Sequence, residues 1–232
     1  MSWMKELYKT YENCINKVDL EANPEKAEKP LLPPFHSLQN SHLEIKIDGY
    51  GNFLDANPVI EKKDREIIIP CTEKSASRTS GEEPHPLCDK IQYCAKDYSG
   101  NKKQYFKTYF KLLESWKNFD SSNKFLNAIY IYVEKGTICS DLQNTGKSFV
   151  KNNQDIGDLF VRWIVEIPGE LETRCWKRKE LFESWQKYCE AQESVDDVCF
   201  ITGDIKSITI NHPKRIRNSG DNAKLISAND KE

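Results

Sequence analysis

Leu43-Glu44-Ile45-Lys46-Ile47-Asp48-Gly49-Tyr50-Gly51-Asn52-Phe53 is the stretch on which the reading of the fold turns. Leu43, Ile45 and Ile47 alternate with Glu44 and Lys46, which is the period of a strand with one buried face. Asp48 to Asn52 supply turn chemistry, so a hairpin is expected, with its second strand from Phe53 to Ile60.

Working outward, Ile67-Ile68-Ile69 reads as a short buried strand running into Pro70. Leu159, Val161, Trp163, Val165 and Ile167 alternate before Pro168-Gly169, and Val198 to Ile201 reads as a last strand ending at Thr202-Gly203. Helical spacing appears in five places. The first is a helix capped by Ser2, whose Met4, Leu7, Tyr8, Tyr11, Ile15 and Val18 should pack by one face. Others span Leu87 to Asp97, Lys102 to Phe119, Lys124 to Glu134 and Trp176 to Glu190. In the third, Tyr105, Tyr109, Leu113 and Trp116 oppose Lys103, Lys107 and Lys111. Glu21 to Pro34 reads as a charged loop, and Thr72 to Pro86, small and polar throughout, as a long exposed one. Strands and helices segregate without βαβ regularity, which gives an α+β class with a mixed, mainly antiparallel sheet and several packed helices.

The chain has 232 residues, with 34 Lys and Arg against 36 Asp and Glu, a formal charge of −2. A protein that coats nucleic acid by bulk charge is excluded. Near-neutrality is a sum of opposed patches. Lys206, Lys214, Arg215, Arg217 and Lys224 face only Asp221 in sequence, whereas Glu190 to Asp204 holds acidic residues and no basic ones. The N-terminus lacks a signal sequence, and no stretch approaches the roughly 20 apolar residues of a membrane span, so a cytoplasmic protein without membrane contact is expected. The eight cysteines contain no Cys-x-x-Cys and read mainly as buried thiols.

Catalytic and cofactor motifs are weak. Gly146-Lys147-Ser148 ends like a phosphate loop, but the motif's first glycine position holds Asp141. His36, His42, His85 and His212 lack the spacing of paired metal ligands on one helix or strand. His85, Cys88 and Asp89 are the one set from which a hydrolase could be assembled, and they carry no nucleophile elbow. No enzyme, metal or cofactor is expected. Backbone and hydroxyl donors of Ser75, Ser77, Thr79 and Ser80 could instead meet phosphates, with Lys74 and Arg78 neutralising them or entering a minor groove. The alternative is an ordinary solvated loop. Lys214, Arg215 and Arg217, and the cluster Arg174, Lys177, Arg178 and Lys179, are either phosphate contacts or salt-bridged surface.

Several motifs, in order, resemble a known family. They include Met1-Ser2-Trp3-Met4, Asp48-Gly49 with Gly51-Asn52-Phe53, Ile69-Pro70-Cys71-Thr72-Glu73, Arg78-Thr79-Ser80-Gly81 and Pro84-His85-Pro86-Leu87-Cys88-Asp89-Lys90. Phe160-Val161-Arg162-Trp163, Cys199-Phe200-Ile201-Thr202-Gly203 and Ala223 to Asp230 continue the series. Together they resemble the N-terminal part of the large subunit of the type I-C CRISPR interference complex, Cascade. Family members are much longer, so residues 1–232 are expected to be the N-terminal domain of a shortened chain. The resemblance implies a non-catalytic antiviral defence subunit. Its implied partners are double-stranded target DNA, the guide RNA complex with its 5′-handle-binding and backbone subunits, and the helicase-nuclease. It would read the protospacer-adjacent motif and help recruit the nuclease, with guide pairing reading the rest. By position, the motif-reading loop is Glu73 to Gly81. The alternative is a structural docking module that uses the acidic stretches Asp155 to Glu172 and Glu190 to Asp204 and has no DNA affinity of its own.

Overall fold

The computed structural model describes residues 3–14, 31–78, 81–100, 103–150, 154–192, 196–199, 201–208, 212, 214–215 and 218–224. The fold is α+β. Its centre is a three-stranded sheet of β2 (Leu43–Asp48), β3 (Phe53–Pro58) and β5 (Val161–Glu166), in the order β3-β2-β5. β2 runs antiparallel to β3, as the hairpin predicts, and parallel to β5. Leu43, Ile45 and Ile47 are fully buried, as are Val161, Trp163 and Val165 opposite them. The other face is polar and paired across strands. Arg162 donates to Glu44 Oε2 at 3.0 and 2.8 Å, and Lys46 lies 3.0 Å from Glu166.

The helices α4 (Lys103–Phe119) and α5 (Lys124–Lys135) cover the apolar face. Their spacing places Tyr109, Leu113 and Trp116, and Leu126, Ile129, Tyr132 and Val133, in one core with the sheet. Asn123 caps α5 by accepting from the Leu126 amide at 3.1 Å, and Gly136 ends it at φ 70°. A second sheet pairs β1 (His36–Asn40) with β4 (Glu66–Pro70). The helix α7 (Lys179–Glu190) lies between the two cores. Its Leu181 and Trp185 join the main core, while Phe182 joins Leu38 and Ile68. Trp185 also donates to the carbonyls of Phe35 and Cys71, both at 3.2 Å.

Several expectations are corrected. Thr72 to Pro86 is not a plain exposed loop: it contains the helix α2 (Glu73–Ser77) and then buries Pro84, His85 and Pro86. The helix expected from Leu87 to Asp97 shrinks to α3 (Ile91–Cys94), because Leu87 takes φ 65° and the chain before it is irregular. The short helix α6 (Ile138–Asn144) and the strand β1 arise where no element is predicted. The last strand is a hairpin of β6 (Asp196–Val198) and β7 (Ile205–Ser207), with Thr202-Gly203 at its turn. The helix α1 (Trp3–Cys14) forms but fully buries no residue; on its expected packing face Met4 and Tyr11 are half-buried, and Tyr11 donates to the Leu32 carbonyl at 3.1 Å. Its proposed cap, Ser2, its apolar positions Ile15 and Val18, and most of the Glu21 to Pro34 loop lie outside the described residues. All eight cysteines are free, and Cys71, Cys88, Cys94 and Cys175 are buried. Among the described residues, no helix is long and apolar enough to cross a membrane.

Candidate nucleic-acid interface

After β4 the chain is held by contacts at Thr72 and Ser75, at Arg78 and at Gly81. Thr72 and Ser75 form a reciprocal capping box: each side chain accepts from the other's backbone amide, at 2.9 and 3.0 Å. The Tyr93 hydroxyl donates to the Gly81 carbonyl. Between them, Arg78 turns inward. Its guanidinium donates twice to Asp89, at 2.9 and 2.8 Å, and once to the Glu83 carbonyl at 2.7 Å, and it stacks 4.4 Å over the Tyr93 ring.

Asp89 organises this region. It is fully buried, and its two oxygens also accept the backbone amides of His85 and Lys90 at 2.7 and 2.8 Å. Its carbonyl accepts from the Val161 amide of β5, which fixes the segment to the sheet. The neighbouring Leu87 is held in its left-handed conformation by two donors to its carbonyl, Tyr109 Oη and Trp163 Nε1, both at 2.7 Å. Burial opposes the Arg78 charge, but the adjacent carboxylate outweighs it and the guanidinium pKa remains raised. Burial pushes the Tyr93 hydroxyl up to about 12.

The residues predicted to meet DNA therefore fall into distinct roles. Lys74 projects from α2 with a side chain 74% exposed and a loose 3.6 Å approach to Glu83. Ser75 is buried in the capping box, and the Ser77 hydroxyl returns to the Glu73 and Lys74 carbonyls. Arg78 is committed to Asp89, so in this conformation it is a support of the segment and does not reach outward. Thr79, Ser80 and Arg217 lie outside the described residues. Lys214 accepts from Ser37 Oγ through its carbonyl at 3.3 Å. Arg215 takes φ 63° and its amide donates to the Asp221 carbonyl at 2.9 Å, while burial, and then the charge of Arg78, lowers its pKa.

The predicted basic cluster at 174–179 behaves as salt-bridged surface. Arg174 meets Glu172 at 2.6 Å, and Arg178 meets Glu170 at 3.1 Å while stacking on Phe125. The same pairing removes much of the free charge from the acidic stretch 155–172, where Asp158 pairs with Lys90 and Glu166 with Lys46. His85, Cys88 and Asp89 do not form a nucleophilic set. Burial holds the Cys88 thiol well above its usual pKa and lowers that of His85 to about 3, while Asp89 is taken by Arg78. Lys147, the phosphate-loop lysine by sequence, clamps β3 through Asp55 at 2.6 Å and the Ala56 carbonyl at 2.9 Å. Among the described residues, no group of His, Cys, Asp and Glu could hold a metal ion.

Reading the sequence missed the Asp89 hub as a support for the candidate loop. The available signal was an acidic residue inside the apolar run Leu87-Cys88-Asp89-Lys90-Ile91, which requires a buried cationic partner.

The model of the family described as CRISPR-associated protein (Cas_Csd1) matches residues 7–232, nearly the whole chain. The chain belongs to this family of CRISPR-associated proteins. No curated protein matches it.

Proposed function

We propose that this chain is a non-catalytic subunit of a type I-C CRISPR interference complex, and that it recognises the protospacer-adjacent motif in duplex target DNA and helps recruit the helicase-nuclease. The observation that carries the reading is the tethered segment from Thr72 to Gly81. Thr72 to Arg78 is held by the capping box and by Arg78–Asp89, Gly81 accepts from Tyr93, and Lys74 is presented outward. A turn of helix held in shape by its own contacts, with Lys74 projecting from it, suits a short duplex motif, because fewer of its residues have to be ordered on binding.

The test uses the full chain assembled with the guide RNA and its partner subunits. Motif-bearing duplex should bind more tightly than scrambled duplex. Lys74→Ala should weaken binding to both alike and make the slope of log affinity against log salt shallower by about 0.9, the loss of one phosphate contact. Equal affinity for the two duplexes in the wild-type complex overturns the reading.

A further inference from the structure

Lys74 and Glu83 meet on the outer side of the chain that follows β4. Lys74 Nζ lies 3.6 Å from Glu83 Oε1, with side chains 74% and 49% exposed. Glu83 also holds Arg78, but by a different atom: its backbone carbonyl accepts from Arg78 Nη1 at 2.7 Å. That bond, and the buried Pro84 and His85 that follow, fix Glu83 at its base. Its main chain therefore supports the segment, while its carboxylate has no part in that support and stands beside Lys74.

The charge balance gives this pair its meaning. From Thr72 to Glu83 the sequence carries Glu73, Glu82 and Glu83 against Lys74 and Arg78, and Thr79, Ser80 and Gly81 add no charge. Arg78 is taken up by the buried Asp89. Lys74 is the cation this segment presents, and Glu82 and Glu83 are exposed beside it in the sequence order. A segment of such balance does not draw in a phosphate backbone by its own charge. Lys74 reaches a phosphate by exchanging one anionic partner for another. The present partner is held loosely, since an exposed pair of long side chains shifts an equilibrium by about fivefold at most.

On the reading that this segment meets duplex DNA, on which the inference rests, we propose that the Glu83 carboxylate is an internal competitor for the DNA phosphate. It occupies Lys74 while no duplex is bound and is displaced when one arrives. The competition acts on affinity and leaves discrimination alone, because a phosphate contact carries no sequence information and the displacement is the same on every duplex. Matched and unmatched DNA are weakened by one factor, and unmatched DNA is released sooner.

The experiment measures affinity and dissociation rate for labelled motif-bearing and scrambled duplexes, using the full chain assembled with the guide RNA and its partner subunits. Glu83→Gln removes the charge and keeps the carbonyl that holds Arg78. It should bind both duplexes about twofold to fivefold more tightly, with slower dissociation, an unchanged ratio between the two and an unchanged Tm. The gain should shrink as salt rises. In a Lys74→Ala background the same substitution should lose most of that gain. No gain in Glu83→Gln overturns the proposal, and a lower Tm without a gain does so by making the carboxylate a structural group. An equal gain with Lys74 absent also overturns it, in favour of a diffuse repulsion of DNA. Equal wild-type affinity for the two duplexes fails the motif reading, whereas a gain that depends on Lys74 upholds the competition even then.

Discussion

Arg78 meets Asp89 fork to fork, Nη1 2.9 Å from Oδ2 and Nη2 2.8 Å from Oδ1. The carboxylate is completely shielded from solvent and the arginine side chain is 10% exposed, so neither charge has water to fall back on. Removing one partner strands the other. Asp89→Ala is expected to lower stability by about 3–5 kcal/mol, since it also orphans the His85 and Lys90 amides. The Arg78→Met, Asp89→Ala double variant should lose less than the sum of the two single changes, with a coupling of about 1–3 kcal/mol. Urea unfolding of the four proteins measures this, and additive losses would show that the pair does not act as a unit.

The two most deeply buried histidines make stability depend on pH. Burial holds His36 at about 4, against the opposing bond to the Pro34 carbonyl, and His85 at about 3. In the unfolded chain both protonate near 6.5. Because folding depresses these values, the stabilising contribution is complete above about pH 6.5 and is lost as pH falls toward 4 and then 3. Each ring should contribute a slope of about 1.4 kcal/mol per pH unit within that window. Urea midpoints from pH 7 to pH 4 should therefore fall, and His36→Phe should reduce the slope. An unchanged slope in His36→Phe would show that this ring is not held neutral by the fold.

Gly51 seats the β2–β3 turn on α5. It takes φ +69°, and a Cβ there would stand 2.8 Å from the Ala128 carbonyl oxygen and 2.9 Å from the Tyr132 amide nitrogen. Neither backbone atom can yield without bending the helix. Gly51→Ala should cost about 2 kcal/mol or more, combining the left-handed penalty with this clash. Gly169, at φ +89° with nothing within 4 Å, provides the comparison, and its alanine variant should cost only about 1 kcal/mol. Equal Tm losses for the two would show that the turn does not bear on α5.

The hairpin was legible because a period of two survives wherever one face is buried and the other wet. The same alternation identified β5. The helices α4, α5 and α7 followed from apolar spacing, helped at α5 by Asn123 and Gly136. β1 was not legible: His36-Ser37-Leu38-Gln39-Asn40 owes its burial to Phe182 and to the chain near Lys214, far away in sequence. Leu87 to Cys94 looked helical because its residues are apolar, yet its first half is bent around the Asp89 carboxylate. At the candidate site, the position of the segment was legible but the roles of its residues were not. A basic residue in a polar stretch reads as free until its partner, eleven residues on, is seen to be buried beneath it.

The parallel pairing of β2 with β5 joins residues 118 positions apart, as Glu44 and Arg162 illustrate. The hairpin is local and can form as soon as Pro58 is made, but the second edge of β2 has no neighbour until Glu166 has been synthesised. Throughout that interval the growing chain carries an open strand edge flanked by Leu43, Ile45 and Ile47, a template for mispairing with other chains. Closing that edge waits on all the chain between the two strands, and a high-contact-order step of this kind is slow. Yield in a host cell is thus tied to how quickly the helices between the two strands are delivered, a constraint set by topology alone.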